Sequence, residues 1–454
     1  MNRILIICSS FPPINATAIH RTLALVRRLA RRNFDVLILT MQPDENVHID
    51  IKLMQNVPEN IRIVHIPNVG LVELVKKIFR MSKRDQGAKN PESTAEPTEK
   101  ITPSGSASPG KFSSIKDWLC QWLQFPDNRI GWCINSAIRG FRRVWSFKPD
   151  MIYSTAPMWS SHLLGLFFAV VLKKYWVADC RDPWRGNPYR KFKHKSHNRV
   201  DAALERLMVK HASAVISNTP AVCRDFCKRY PNAICKFFTV TNGYDSATVE
   251  AVFNSHYKRN GICRMVHAGS FYGQRRPQPY FEALAQAAKE NPDLREKMRF
   301  KQVGSDRYDG EKLSDIAQSY GVSDMLELTK PVGHRQALLE IHHGDVAIAA
   351  SQEGQNSDLQ IPRKFYEYFG MRKAMLITGG CCSAIKEVLG DHCGSAGIYL
   401  VPKTDGQVLK NVILDIYEKW QQGLLVNLSP PKVDLTEDRM ARQIESIMHL
   451  ATEL

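Results

Sequence analysis

Short apolar runs alternate along most of the chain with segments whose apolar positions recur every three or four residues. In the first half the runs are RILIICS, DVLILT, IRIVHI, DMIYST, WVADC, AVISNT and FTVTN. In the second half they are RMVHAGS, RFKQVG, MLELTK, DVAIAA, AMLITGG and GIYLVP. Runs this short and this apolar read as strands covered on both faces. Between them, patterns such as PYFEALAQAAKE and DGQVLKNVILDIYEKWQQ read as helices with one buried side. Regular alternation of the two predicts parallel sheets flanked by helices, and two such sheets are expected to meet near residues 243–260.

Two segments depart from the alternation. HLLGLFFAVVL, residues 162–172, is the longest apolar run; it falls short of the roughly 18 residues of a membrane span and is expected to be a buried helix. Residues 82–114, SKRDQGAKNPESTAEPTEKITPSGSASPGKFSS, carry almost no large apolar side chain and read as a disordered insertion. On either side, LVELVKKIFRMSKR and SIKDWLCQWLQF interleave basic and apolar residues at helical spacing. They read as half-buried helices or as a patch touching a membrane surface.

The length of 454 residues agrees with two domains. A net charge of +17 favours anionic partners: nucleic acid, phosphorylated small molecules or an anionic membrane. The opening MNRILIICSS has too short an apolar core for a secretory signal and reads as a first strand, so a cytoplasmic chain is expected. The eleven cysteines are scattered, and neither Cys223 with Cys227 nor Cys381 with Cys382 completes a zinc pattern. Reduced thiols and no metal are the expectation.

In open parallel sheets ligands bind beyond the carboxyl ends of strands, so the loops there carry the candidates. In SSFPPINATAIHRTLALVRRLARR, Arg21 lies near enough to the loop to reach a cleft, whereas Arg27, Arg28, Arg31 and Arg32 form a solvated face. No GxGxxG or GxxxxGK occurs there, against a dinucleotide oxidoreductase or a P-loop enzyme. His162, in YSTAPMWSSHLLG, is either a catalytic residue or a structural hydrogen-bonder. Arg181 and Asp182, in WVADCRDPWRGNPY, either pair to hold two loops or meet a substrate. The loop HAGSFYGQRRP brings Gly269 and Gly273 together with Arg275 and Arg276, a phosphate cradle in which glycines admit the ligand and guanidiniums pair with its oxygens. Farther on, in IPRKFYEYF, Pro362 opens a helix that presents its amides with Lys364 beside them. Glu367 is expected to face away from the stripe of Phe365, Tyr368 and Phe369. It then either pairs with Arg363 in solvent or accepts hydrogen bonds from ribose hydroxyls.

The chain resembles the family 4 glycosyltransferases of the GT-B fold, especially bacterial members that build cell-surface polysaccharides. The resemblance runs through SSFPP, FPDNRIGW, YSTAPMWSSHLLG, DCRDPW, VISNTPAV, VTNGYD, HAGSFYGQRRP and IPRKFYEYFGMRKAMLI. It implies two doubly wound, Rossmann-like α/β domains facing across a cleft. Residues 1–245 would bind the acceptor, 246–425 the nucleotide sugar, and 426–454 would form a C-terminal helix packing back on the first domain. It further implies sugar transfer with retention, no cofactor and no metal, a nucleotide-sugar donor, and a glycan or lipid-linked glycan acceptor. Location would be cytoplasmic, or peripheral on the anionic inner face of the cytoplasmic membrane. Gly269, Gly273, Arg275, Arg276, Ile361, Lys364 and Glu367 would hold the donor, and Arg21, Arg181 and Asn242 the acceptor or the cleft. Asp182 and His162 would stand by the reacting sugar. Asn15, Ala16, Thr17 and Ala18 occupy a loop where relatives usually carry paired glycines, and ADCRDPW lacks a histidine that many relatives have.

A nucleotide-sugar epimerase of the same fold and a catalytically silent scaffold remain as alternatives. Nucleic-acid binding would suit the charge, yet the sequence has no zinc-finger pattern, RNA-recognition signature or aromatic-interleaved basic stripe.

Overall fold

The computed structural model describes residues 2–44, 49–73, 120–187, 190, 192, 195–255, 260–390, 397–425, 428 and 433–453. The segment 82–114 and most of its two flanks lie outside the described residues.

All thirteen apolar runs are strands. The first sheet contains β1 (Arg3–Cys8), β2 (Asp35–Met41), β3 (Arg62–Ile66), β4 (Met151–Thr155), β5 (Tyr175–Cys180), β6 (Ala214–Ser217) and β7 (Phe237–Thr239), in the order β3-β2-β1-β4-β5-β6-β7. Later in the chain follow β8 (Cys263–Gly269), β9 (Met298–Gly304), β10 (Arg307–Tyr308), β11 (Glu311–Lys312), β12 (Leu326–Thr329), β13 (Val346–Ala350), β14 (Ala374–Thr378) and β15 (Ile398–Val401). Six of these form a second sheet in the order β12-β9-β8-β13-β14-β15. The pairings within both sheets are parallel. Both sheets wind outward from a central pair, the doubly wound arrangement.

The antiparallel hairpin β10-β11 was not anticipated. Its turn, Asp309-Gly310, has positive φ at both residues, 49° and 88°, as a type I′ turn requires. The Asp-Gly pair was the signal for it.

The chain divides into two compact units, Met1–Asp179 with Phe192–Ser213 and Ala451–Leu454, and Cys180–Lys191 with Ala214–Leu450. In the second unit, side chains of one strand alternate between two cores. Met265, Val346, Ile348, Ala374 and Leu376 pack with Phe281, Leu284, Ile316 and Ile413 on one face. Their neighbours Val266, Ala347, Ala349, Met375 and Ile377 pack with Leu338, Ile341, Phe365 and Ile385 on the other. Burial on both faces is the reason β13 is apolar without a gap.

Two expectations need correction. The helix Ser160–Leu172 buries His162, Leu164, Gly165 and Phe168 but exposes Phe167, Val170 and Val171, so it is not a core helix throughout. In the helix Arg363–Gly370 every residue from Phe365 to Phe369 is buried, Glu367 included. Among the described residues, no helix is long and apolar enough to cross a membrane.

Candidate functional site

The winding of the second sheet reverses between β8 and β13, and loops leaving the carboxyl ends of strands diverge at such a point. A cavity of about 360 Å³ opens there. Its walls are Gly269 and Ser270 after β8, Gly304 and Ser305 after β9, Pro331, Val332 and His334 after β12, and Lys364, Glu367 and Tyr368 from the helix Arg363–Gly370.

The two glycines are cross-strand partners in the β8-β9 register and share an unusual backbone, with φ of +126° at Gly269 and +129° at Gly304. A Cβ on Gly269 would lie 2.3 Å from Lys364 Nζ, and one on Gly304 would lie 2.5 Å from the Gly269 carbonyl oxygen. Both positions therefore need glycine, for conformation and for room. Between the loops sits Gln302, wholly buried, whose Nε2 donates to the carbonyls of Gly269 at 2.6 Å and Ser305 at 2.9 Å. Its Oε1 faces His267 Nδ1 at 2.8 Å, which assigns the proton to Nδ1. Burial, reinforced by the charge of Lys364, pushes His267 down to about 3, so the imidazole stays neutral and the clamp uncharged. On the outer side, Tyr308 of β10 donates its hydroxyl to the Gly273 carbonyl at 2.7 Å.

Lys364 donates to the Ala268 carbonyl at the cavity wall. Burial and then the nearby charge of Arg275 lower its pKa to about 8, against the pull of Glu367. Arg275 is half-buried with its guanidinium 4.7 Å over the Tyr272 ring, while Arg276 is exposed. The lysine is thus a cation already strained by a second cation, an arrangement an anion between them would relieve.

Glu367 is 6% exposed. Its Oε1 lies 2.9 Å from His334 Nε2 and 3.1 Å from Arg363 Nη2. Burial alone would raise its pKa, but the hydrogen bond from His334 and the charge of Arg363 hold the carboxyl below its ordinary value. The i,i+4 pair with Arg363 exists, inside the protein and not in solvent. Among the described residues, nothing donates to Glu367 Oε2, and the hydroxyl of Tyr368, a residue 1% exposed, has no hydrogen-bond partner. Both atoms belong to cavity-lining residues. Sequence reasoning missed His267, Gln302, Gly304, Tyr308 and His334; the strands of the first two also carry Arg264, Arg299 and Lys301, so a polar residue there was no distinct signal.

The remaining candidates are elsewhere. Ile361 is core, 5% exposed. Asp182 Oδ1 accepts from Gln360 Nε2 at 3.0 Å, and Arg181 is half-buried. Asn242 lies between Thr241, which contacts Arg439 Nη1 at 3.4 Å, and Gly243, where a Cβ would meet the Thr436 carbonyl oxygen at 2.5 Å.

In the first unit two candidates turn inward. Arg21 is 3% exposed and grips Asp179 through Nε at 2.7 Å and Nη2 at 3.0 Å, and Tyr153 donates its hydroxyl to the same carboxylate. It is an internal strut and not a loop residue reaching for ligand. His162 is wholly buried, its Nδ1 2.8 Å from Ser154 Oγ, which also accepts from Trp176 Nε1 at 2.8 Å. Burial lowers its pKa to about 4 against the pull of Asp179, so it is a neutral structural hydrogen-bonder.

No protein-family model matches the chain, and no curated protein matches it. Solved structures do. A glycosyltransferase from Rickettsia africae aligns with a TM-score of 0.60 at 11% identity, covering 99% of this chain and 98% of that one. Anabaena HepE in complex with UDP and glucose aligns at 0.55 and 14% identity, covering 100% and 99%. The UDP-GlcNAc 2-epimerase from Methanocaldococcus jannaschii aligns at 0.50 and 13%, covering 99% of each. At such identities the likeness is one of fold, and the two parallel-sheet α/β assemblies are those of GT-B glycosyltransferase structures.

Proposed function

We propose that the protein is a glycosyltransferase that moves a sugar from a nucleotide-sugar donor to a saccharide acceptor, with the donor nucleotide in the cavity of the second unit. One observation carries this reading: a paired-glycine backbone, a buried lysine and a carboxylate with an open oxygen line one cavity, and the charge of Arg275 reaches that lysine from outside the lining. The diphosphate fits against Lys364 and Arg275, where the glycines let it approach the backbone. The ribose fits Glu367 Oε2, and the base fits the apolar wall of Val303, Pro331, Val332 and Leu338. In transfer, Lys364 and Arg275 neutralise the charge that develops on the departing diphosphate. This division of labour asks for no metal. Asp182 is preferred as the residue beside the reacting sugar over His162, which is wholly buried, and over Arg21, which pairs with Asp179.

The finer reading is a family 4 enzyme of cell-surface polysaccharide synthesis, acting with retention on a lipid-linked glycan. Its support is the order and spacing of VISNTPAV, VTNGYD, HAGSFYGQRRP and IPRKFYEYFGMRKAMLI. The bound UDP of HepE makes UDP the first nucleotide to try.

The test is a thermal-shift screen of the whole chain with UDP, GDP and ADP and their common sugars, followed by product analysis. A ligand that binds only the folded state raises the midpoint. Response to one nucleotide, with transfer from its sugar that persists in excess chelator, is expected; no response to any would overturn the reading. The epimerase in the fold comparison favours one alternative, which would yield an altered donor with no acceptor present. Binding without turnover would favour a scaffold.

A further inference from the structure

The helix Ile130–Arg139 continues through Gly140 into Phe141–Phe147, with Gly140 N donating to Ser136 O and Val144 N to Gly140 O, each at 3.0 Å. Steps of four, three and four residues separate Ile134, Ile138, Phe141 and Trp145, so the four share one face. That face is not the one packed on the sheet, which carries Trp132, Cys133, Val144 and Phe147. It points outward: Ile134 is 45% exposed, Ile138 71% and Trp145 56%. Alongside packs the helix Ser160–Leu172, and the patch continues onto it, the Phe167 ring lying 6.4 Å from that of Phe141 and Val170 and Val171 standing exposed. Surface helices hide their apolar stripe; a second, exposed stripe spread over two helices marks a surface that something covers.

Charge says what. Arg139, Arg142, Arg143 and Lys148 flank the first helix, Lys173 and Lys174 end the second, and all are exposed. Residues 128–149 and 151–178 contain no aspartate or glutamate. Arg139, Arg142 and Arg143 also line an open hollow of about 750 Å³ with Arg62 and Ser146. Beside the hollow, Asp35 is already bound to Arg62 at 2.5 Å, while Arg62 lies 4.7 Å over the Phe147 ring.

We propose that this face docks on an anionic lipid bilayer, the apolar stripe entering the boundary between headgroups and acyl chains and the arginines taking lipid phosphate oxygens. A second copy of the chain does not fit, because a symmetric contact would set this acid-free cationic face against itself. The inference deepens the lipid-linked-acceptor reading and rests on it only for its purpose, since membrane contact is measured without turnover.

The test is vesicle flotation of the full chain with phosphatidylcholine alone and with an equal mixture of phosphatidylcholine and phosphatidylglycerol. Wild type is expected to float with the anionic vesicles alone, less so as salt rises. Ile138→Ser with Trp145→Ser, and separately Arg142→Gln with Arg143→Gln, are each expected to lower the bound-to-free ratio at least tenfold while the thermal midpoint stays unchanged. These four side chains are exposed, so the fold does not depend on them. Four results would overturn the proposal: wild type failing to float, equal flotation without anionic lipid, variants floating as well as wild type, or a wild-type oligomer that the substitutions dissolve.

Discussion

Each unit contains a buried cluster of charge, and the two are built to opposite ends. In the first, Arg21, Asp179 and Tyr153 satisfy one another, the arginine binding both carboxylate oxygens. In the second, Lys364 is burdened by Arg275, Glu367 is held through one oxygen, and the Tyr368 hydroxyl is unmatched among the described residues. A closed cluster stabilises a fold; an open one is incomplete until a ligand arrives. The same residue types beyond the same kind of strand therefore mean different things, and closure tells them apart.

The largest expected effect breaks the closed cluster. Arg21→Ala leaves the Asp179 carboxylate buried without its cation and is expected to cost about 3–5 kcal/mol of stability in urea unfolding. Arg21→Met combined with Asp179→Leu removes both charges and should recover most of that loss. If Arg21→Ala costs under about 1 kcal/mol, water reaches Asp179 and the cluster is not closed.

The fold was legible because it is written in strand periodicity: buried on both faces, β13 is apolar from end to end and β14 is apolar up to Thr378. Lys364, Glu367 and Gly269, which line one cavity, could be singled out because helix starts and glycine loops announce themselves locally, whereas Gly304 at the end of β9 was not. What local pattern hides is direction. Arg21 is near a loop and His162 follows one, yet both point inward, because their partners Asp179 and Ser154 lie in neighbouring strands 158 and 8 residues away in sequence. Gln302 and His334 were missed for the same reason: each matters through a residue distant in sequence, Gly269 or Glu367.

Next in size is the open cluster. Arg275→Ala and Lys364→Ala are each expected to weaken nucleoside-diphosphate binding by about 1.5–3 kcal/mol in calorimetry, the worth of a charged hydrogen bond. Stability should change little for Arg275, which is half-buried over Tyr272. Unchanged affinity in either variant would remove that residue from the site and, with it, the contrast between the clusters.

The pH dependence sharpens the contrast further. Burial sets Lys364 to about 8 in the free protein, so between about pH 7, where the terminal phosphate is ionised, and pH 8 its ammonium is already present and affinity should be nearly flat. A bound diphosphate raises that pKa. Above about pH 8 binding must then take up a proton, and affinity is expected to fall by up to tenfold, about 1.4 kcal/mol, per pH unit. Calorimetry in buffers of different ionisation enthalpy should record the uptake, and Lys364→Arg should abolish it. Affinity that stays level to pH 10 in wild type would show that Lys364 does not meet the phosphate.

The smallest and most specific effect concerns Glu367. Because His334 and Arg363 both engage Oε1, one oxygen and not two is left for ribose. Alanine at this position would also release those two neighbours, so a loss of affinity there would confound ribose contact with collapse of the wall. Glutamine keeps the shape and removes the charge. Glu367→Gln is expected to weaken a ribonucleoside diphosphate by about 1.5 kcal/mol, the lower end for a charged hydrogen bond. Wild type should lose a similar amount when offered the 2′,3′-dideoxy analogue, and the variant should no longer distinguish the two ligands, since contacting partners are non-additive in a double-mutant cycle. If wild type binds both ligands equally, Glu367 only ties His334 to Arg363, and the second cluster is as closed as the first.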